Sequence, residues 1–138
     1  MERGEMRPLI ADVPVELVDA MLDTLPVDIT FVDSEDAVRY FSKEKKERLF
    51  PRARAIIGRK VQRCHPQKSV HLVNQILDEF KSGNRDRAEF WIDVQGRKIY
   101  TRYFAVRDSA GKYLGCVEAS QDITDIQKLK GEKRLLES

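Results

Sequence analysis

Residues 56–71, IIGRKVQRCHPQKSVH, gather one of the chain's two cysteines and both of its histidines. Cys64, His65 and His71 are residue types that ligate zinc or haem iron, and a cysteine just ahead of a helix can have a lowered pKa and act as a redox-sensing thiolate. A structural zinc site takes about four ligands, and only these three stand together, so zinc is not expected. Haem needs one axial ligand, which leaves His65 or His71 as candidates. The plainer reading is structural. A residue before proline avoids helical angles, and proline fits a first helical turn, so His65-Pro66 marks a helix start without any metal. The plainer reading of Cys64 is an unreactive, half-buried thiol. No nucleophile stands at recognisable spacing from a base, and there is no phosphate-binding glycine loop or zinc-hydrolase motif. The chain is therefore not expected to be an enzyme.

The bulk composition narrows the classes further. A chain of 138 residues, 41% hydrophobic and 35% charged, suits one folded, heavily charged domain and not a disordered one. The 25 basic and 23 acidic residues leave a net charge of +2, which gives no electrostatic footprint for nucleic acid. The basic stretch Lys43, Lys45, Lys46, Arg48, Arg52 and Arg54 is interrupted by Glu44 and Glu47 and reads as a solvated helix face. Cys64 and Cys116 form no disulfide framework. No apolar run reaches membrane-spanning length, and MERGEMRPLI lacks a signal-peptide core, so a cytoplasmic protein without a membrane partner is expected.

The elements that must position the candidate residues follow from periodicity. Residues 1–12 read as a linker or arm. Val15, Val18, Met21, Leu22 and Leu25 recur at helical spacing between Pro14 and Pro26. Residues 28–33 and 37–42 alternate as strands of a hairpin, and residues 43–49 suggest a helical turn or two. Gly58 suits a left-handed conformation. Val70, Val73, Ile76, Leu77 and Phe80 form the clearest helical stripe, closed by Ser82-Gly83-Asn84. Three strands follow, over 88–94, 98–106 and 113–121, separated by turns at Gln95-Gly96 and Ser109-Ala110-Gly111. Residues 123–137 read as a charged helix with Ile126, Leu129 and Leu136 near heptad spacing, weakened by Gly131. This order predicts an α+β domain: a five-stranded antiparallel sheet with helices on one face, an N-terminal flanking helix and a C-terminal linker helix.

Four of these pieces, in this order, resemble a PAS domain over roughly residues 13–130. They are Leu25-Pro26 before Ile29-Thr30-Phe31-Val32-Asp33, Cys64-His65-Pro66 before a helix ending at Lys81-Ser82-Gly83, the turns at Gly96 and Gly111, and GCVEASQDIT at 115–124. Within the family, residues 56–71 most resemble the PAS domain found behind DUF438 and hemerythrin-type HHE modules, which implies a piece of a longer protein. The resemblance implies a sensor domain over 13–125 and the start of an output helix over 126–138. In light-sensing flavin members a Gly-Arg-Asn-Cys motif carries the reactive cysteine. Here Gly58-Arg59-Lys60-Val61 puts valine at that position, so flavin adduct chemistry is not expected. A Cys-Pro haem motif is not matched either, because His65 intervenes.

The register of the flavin-binding members, carried over through Asp122-Ile123-Thr124 and the Gly96 turn, implies which residues face a cavity. Trp91, Ile99, Thr101, Tyr103, Cys116, Glu118 and Ser120 fall inward, and Phe90, Ile92, Tyr100, Phe104, Val117 and Ala119 outward. The pocket candidates are Trp91, Thr101, Tyr103, Glu118 and Ser120, with His71 beside them. Glu118 needs a ligand, a raised pKa or a salt bridge to Arg59, Arg102 or a lysine. Both faces are apolar enough to need cover, the outer one from the N-terminal helix, a second subunit or both. The expected function is a sensory module that binds a small molecule or cofactor, with haem through His65 or His71 as one version, and passes its state to a partner signalling domain. The alternative is a ligand-free dimerisation scaffold. A homodimer is expected in either case.

Overall fold

The computed structural model describes residues 6–137; the first five residues of the expected arm and Ser138 lie outside the described residues. After a short 3-10 turn at Leu9–Asp12 come α1 (Val15–Thr24), β1 (Asp28–Asp33) and β2 (Val38–Phe41). The chain then crosses through 3-10 turns at Arg54–Ile56 and Val61–Cys64 to α2 (Val70–Ser82), β3 (Arg87–Val94), β4 (Arg97–Arg107) and β5 (Tyr113–Asp122). The sheet is antiparallel in the order β2-β1-β5-β4-β3, so the first and last strands of the sequence lie side by side at its centre.

One face of the sheet buries Thr30 and Val32 from β1, Ile99 and Thr101 from β4, and Cys116 and Ser120 from β5. The apolar stripe of α2 lies against it: Leu77 and Phe80 are buried with Cys116, and Val73, Ile76 and Tyr103 pack around them. Burying a leucine or phenylalanine side chain stabilises the fold by about 1.5–3 kcal/mol each. The helix ends where Gly83 turns left-handed at φ 85° and its N–H reaches back to Glu79 and Phe80. Asn84 N–H also donates to the Glu79 carbonyl, at 3.0 Å. α1 buries none of its residues; Asp23 accepts the Lys43 N–H at 2.7 Å and ties it to the end of β2.

Three expectations are corrected here. Residues 43–49 form a turn and bends, not a helix: Lys43 is left-handed at φ 60° and Lys46 N–H closes on its carbonyl. The helical face is therefore absent, although Lys45, Lys46 and Arg54 are exposed as expected. Arg48 instead turns inward, its side chain only 5% exposed, and reaches the carbonyls of Ser42 and Phe50, the Thr30 hydroxyl and the Asp28 carboxylate. Asp28 also accepts the Leu49 N–H at 2.6 Å. The helix expected over 123–137 is a single 3-10 turn, Ile126–Lys128. Leu129 and Leu136 find nothing to pack against and stay exposed, and a short isolated helix is marginal in water. Lastly, Pro66 opens a hydrogen-bonded turn through Ser69, and α2 begins only at Val70. His65 has the extended backbone its following proline demands, φ −119° and ψ 150°.

Candidate functional site

Between the inner sheet face, α2 and the crossing segment lies a cavity of about 580 Å³. Thr30, Val32, Tyr103, Cys116 and Glu118 line it from the sheet, and Leu72, Val73 and Ile76 from α2. Val38, Ile56 and Val61 extend the apolar wall, and Arg52 and His65 enter from the crossing segment. That segment is held over the sheet by main-chain bonds: Val38 N–H donates to Arg59 at 2.9 Å and Gly58 N–H to Val38 at 2.7 Å. Gly58 is left-handed at φ 90°, which sets this corner.

The polar groups of the cavity converge. Arg52 Nη2 stands 3.4 Å from Glu118 Oε1, and both side chains are mostly buried. Burial pushes the Tyr103 hydroxyl pKa up, and the Glu118 carboxylate it meets raises it further. Burial also lowers the His65 pKa, against the attraction of Glu118. The Cys116 thiol is pushed up to about 12, first by burial and then by Glu118, so it is an inert thiol. Cys64 is exposed, on the cavity rim.

Tyr103 and Glu118 are both on the cavity wall. Thr101 and Ser120 share their face but are closed off from the cavity, with their hydroxyls 2.8 Å apart. His71 is exposed and does not line the cavity, because its position on the helical turn falls off the face that Leu72, Val73 and Ile76 present. His65 lines it instead. Trp91 is on the other face, 58% exposed, with its ring against Tyr100. The reason is the turn: Gln95 and Gly96 alone, both at positive φ, join β3 to β4, so Val94 pairs with Arg97 and Trp91 with Tyr100. Even positions of β3 therefore share a face with odd positions of β4, and Phe90 and Ile92 lie inward where they were expected outward. The expected partners of Glu118 are corrected too. Arg102 is on the opposite face, its guanidinium over Tyr100 and Phe104, and Arg52 makes the ion pair. Arg52 was hidden in the basic run; Pro51, which breaks any helical face there, was the signal that separates it from its neighbours. Phe90 was recoverable from the two-residue length of the turn.

A PAS domain family model matches residues 18–124. The chain belongs to the PAS domain family. This PAS domain is similar to the C-terminal domain of a Streptococcus mutans protein, with 34% identity over 86% of this chain and 91% of that one and a TM-score of 0.80. It shares its fold with the PAS domain of Bordetella pertussis BvgS, with 19% identity over 83% and 88% of the two chains and a TM-score of 0.53. A sensory box sensor histidine kinase from Vibrio cholerae gives 11% identity over 80% and 91%, with a TM-score of 0.55. A search of curated proteins returns no match. The narrower likeness to the DUF438- and hemerythrin-associated branch has no support in these matches. Among the described residues, no helix of this PAS domain is long and apolar enough to cross a membrane, and no cluster of metal-ligating side chains forms.

Proposed function

We propose that this PAS domain is a sensory module that binds a small molecule in the cavity and relays its occupancy to a partner signalling domain. The observation that carries the reading is the 580 Å³ apolar cavity with Arg52, Glu118, Tyr103 and His65 gathered on its wall. Large apolar lining with a few convergent polar groups is what a small-molecule site requires. The likeness to sensor histidine kinases supports the signalling role. Glu118 is on β5, and the residues after β5 are clipped to the sheet: Asp122 accepts from the Thr124 N–H and hydroxyl, and Thr124 accepts the Lys98 N–H at 2.8 Å. Occupancy felt at Glu118 thus has a short path to the exit of the 13–125 domain. The ligand shifts a two-state equilibrium only as far as it binds one state better. No catalysis belongs to this reading, and the DUF438-associated branch rests on residues 56–71 alone.

The second copy expected in a homodimer has a place to sit. The outer face presents Trp91, Tyr100 and Phe104 around Arg102, whose Nε has no partner. α1 carries exposed Val15, Leu17 and Met21 with only acidic charges, Glu16, Asp19 and Asp23. The two surfaces complement each other in charge and apolarity, so α1 of one copy on the outer face of the other is the arrangement proposed.

Haem is a second reading, favoured by one observation: His65, in contrast to His71, is a cavity-wall residue. Burial keeps its imidazole neutral at pH 7, the form that ligates iron. Bound haem would supply gas or redox sensitivity, and His65 would hold it. Protein purified from its natural host, measured by absorption and native mass spectrometry, tests both readings. A bound organic mass supports the first and a Soret band lost in His65→Ala the second; a colourless, ligand-free chain that takes up neither supports the scaffold.

A further inference from the structure

The wall cluster says what kind of molecule the cavity takes, on the footing that it is a ligand site as proposed above. Its formal charges cancel. Arg52 and Glu118 face each other across 3.4 Å, and His65 adds no charge at neutral pH. An anionic ligand would set a second negative charge beside Glu118, and a cationic one a second positive charge beside Arg52. Without compensation either is costly in a poorly solvated site.

Both members of the pair also keep unused valences. Arg52 touches Glu118 through one nitrogen and the Pro51 carbonyl through the other, each at 3.4 Å, the outer limit of a hydrogen bond. Arg54 nearby shows what a satisfied fork looks like, with two nitrogens on Glu44 at 2.5 and 2.6 Å. Arg52 thus offers N–H donors and Glu118, which the Tyr103 hydroxyl also meets, offers carboxylate lone pairs beside them. The complement is a group with a donor next to an acceptor. The remaining wall is mostly apolar, broken by Ser69, Gln75, Arg85 and Glu89, and includes the Phe90 ring and the aliphatic side chains of Leu72 and Ile76.

We infer that the cavity binds a neutral, planar heterocycle with a lactam edge. Its N–H donates to Glu118, its adjacent carbonyl accepts from Arg52, and its rings lie among Phe90, Leu72 and Ile76.

The test is amide chemical-shift titration of the isotope-labelled full chain with five probes: quinazolin-4-one, its 3-methyl derivative, octanoate, octylammonium and toluene. Quinazolin-4-one is expected to shift the amides of Phe90 and Glu118. Methylation at its lactam nitrogen, which removes the N–H, weakens binding at least about tenfold, because it leaves buried polar groups unpaired. Arg52→Met and Glu118→Leu lose the same factor for quinazolin-4-one and leave toluene binding unchanged. Should Glu118→Leu fail to fold, Arg52→Met carries the comparison. If toluene enters the cavity but the methylated heterocycle binds as well as its parent, or octanoate or octylammonium binds more tightly, the lactam inference is overturned while the ligand site stands. If no probe moves the cavity amides, the ligand site falls and the inference with it.

Discussion

Asp28 is buried on β1 with its two oxygens shared among Lys43, Arg48 and the Leu49 N–H, so it anchors the crossing segment that roofs the cavity. Removing one member of a buried pair leaves the other charge uncompensated. Asp28→Ala is expected to cost about 3–5 kcal/mol in urea unfolding. A cost near zero would show that the segment is held by other contacts. His65 makes a pH prediction. Its pKa is lowered in the folded state, by burial first, so below its ordinary value of about 6.5 the unfolded chain binds more protons than the folded one. Stability is then full above about pH 6.5 and falls as the pH drops through the window beneath it. Thermal melts between pH 5 and 8 should show that slope, and His65→Gln should flatten it. Equal slopes in both proteins would locate the titration elsewhere. Sequence alone showed that His65 is extended, because Pro66 requires it, but not that its ring meets the cavity. Arg48 was misread for a related reason: its partners, Asp28 and Thr30, belong to a strand far up the chain, and a charge run counts signs without seeing them.

At the scale of elements, β5 runs between β1 and β4 and is fixed by one close approach. Gly115 has φ 152°, and a Cβ there would lie 2.3 Å from the Val32 carbonyl oxygen and 2.6 Å from the Phe31 ring. Backbone cannot yield cheaply inside a paired strand, so Gly115→Ala is expected to cost at least about 2 kcal/mol, by overpacking. Gly111→Ala is the control: it has a positive φ but open space around it, and should cost about 1 kcal/mol from backbone strain alone. Chemical denaturation of the two variants checks the order, and equal costs would mean that the sheet opens to admit the methyl group. The five strands and α2 were legible because period-2 and period-3.6 patterns are local. The face of β3 was legible too, from the two-residue Gln95-Gly96 turn, but was misassigned because one residue of turn length reverses every side chain and the register carried over from relatives was followed instead. The C-terminal helix failed for another reason: its apolar spacing describes a surface that needs a partner, and nothing within the described residues provides one.

For the whole molecule, one sheet face is covered by α2 and the crossing segment, with the cavity between them, and the other is open. If a second copy covers the open face, sedimentation equilibrium should give a dimer. Phe104→Glu on that face should return it to a monomer with an unchanged far-ultraviolet circular dichroism spectrum. A wild-type monomer would leave α1 and the outer face for a different partner. The clip formed by Asp122, Thr124, Arg97 and Lys98 bears on how such molecules are assembled into larger ones. Up to Thr124 the chain has a fixed position and heading, set by the β3–β4 hairpin, while residues 130–137 are exposed and form a bend and a turn, not a helix. A designer fusing another domain downstream should therefore count phase from Thr124. Where the joint is wound as a helix, each residue inserted after that point rotates the cargo by about 100°, so the length of the joint works as a dial on the orientation of whatever is attached.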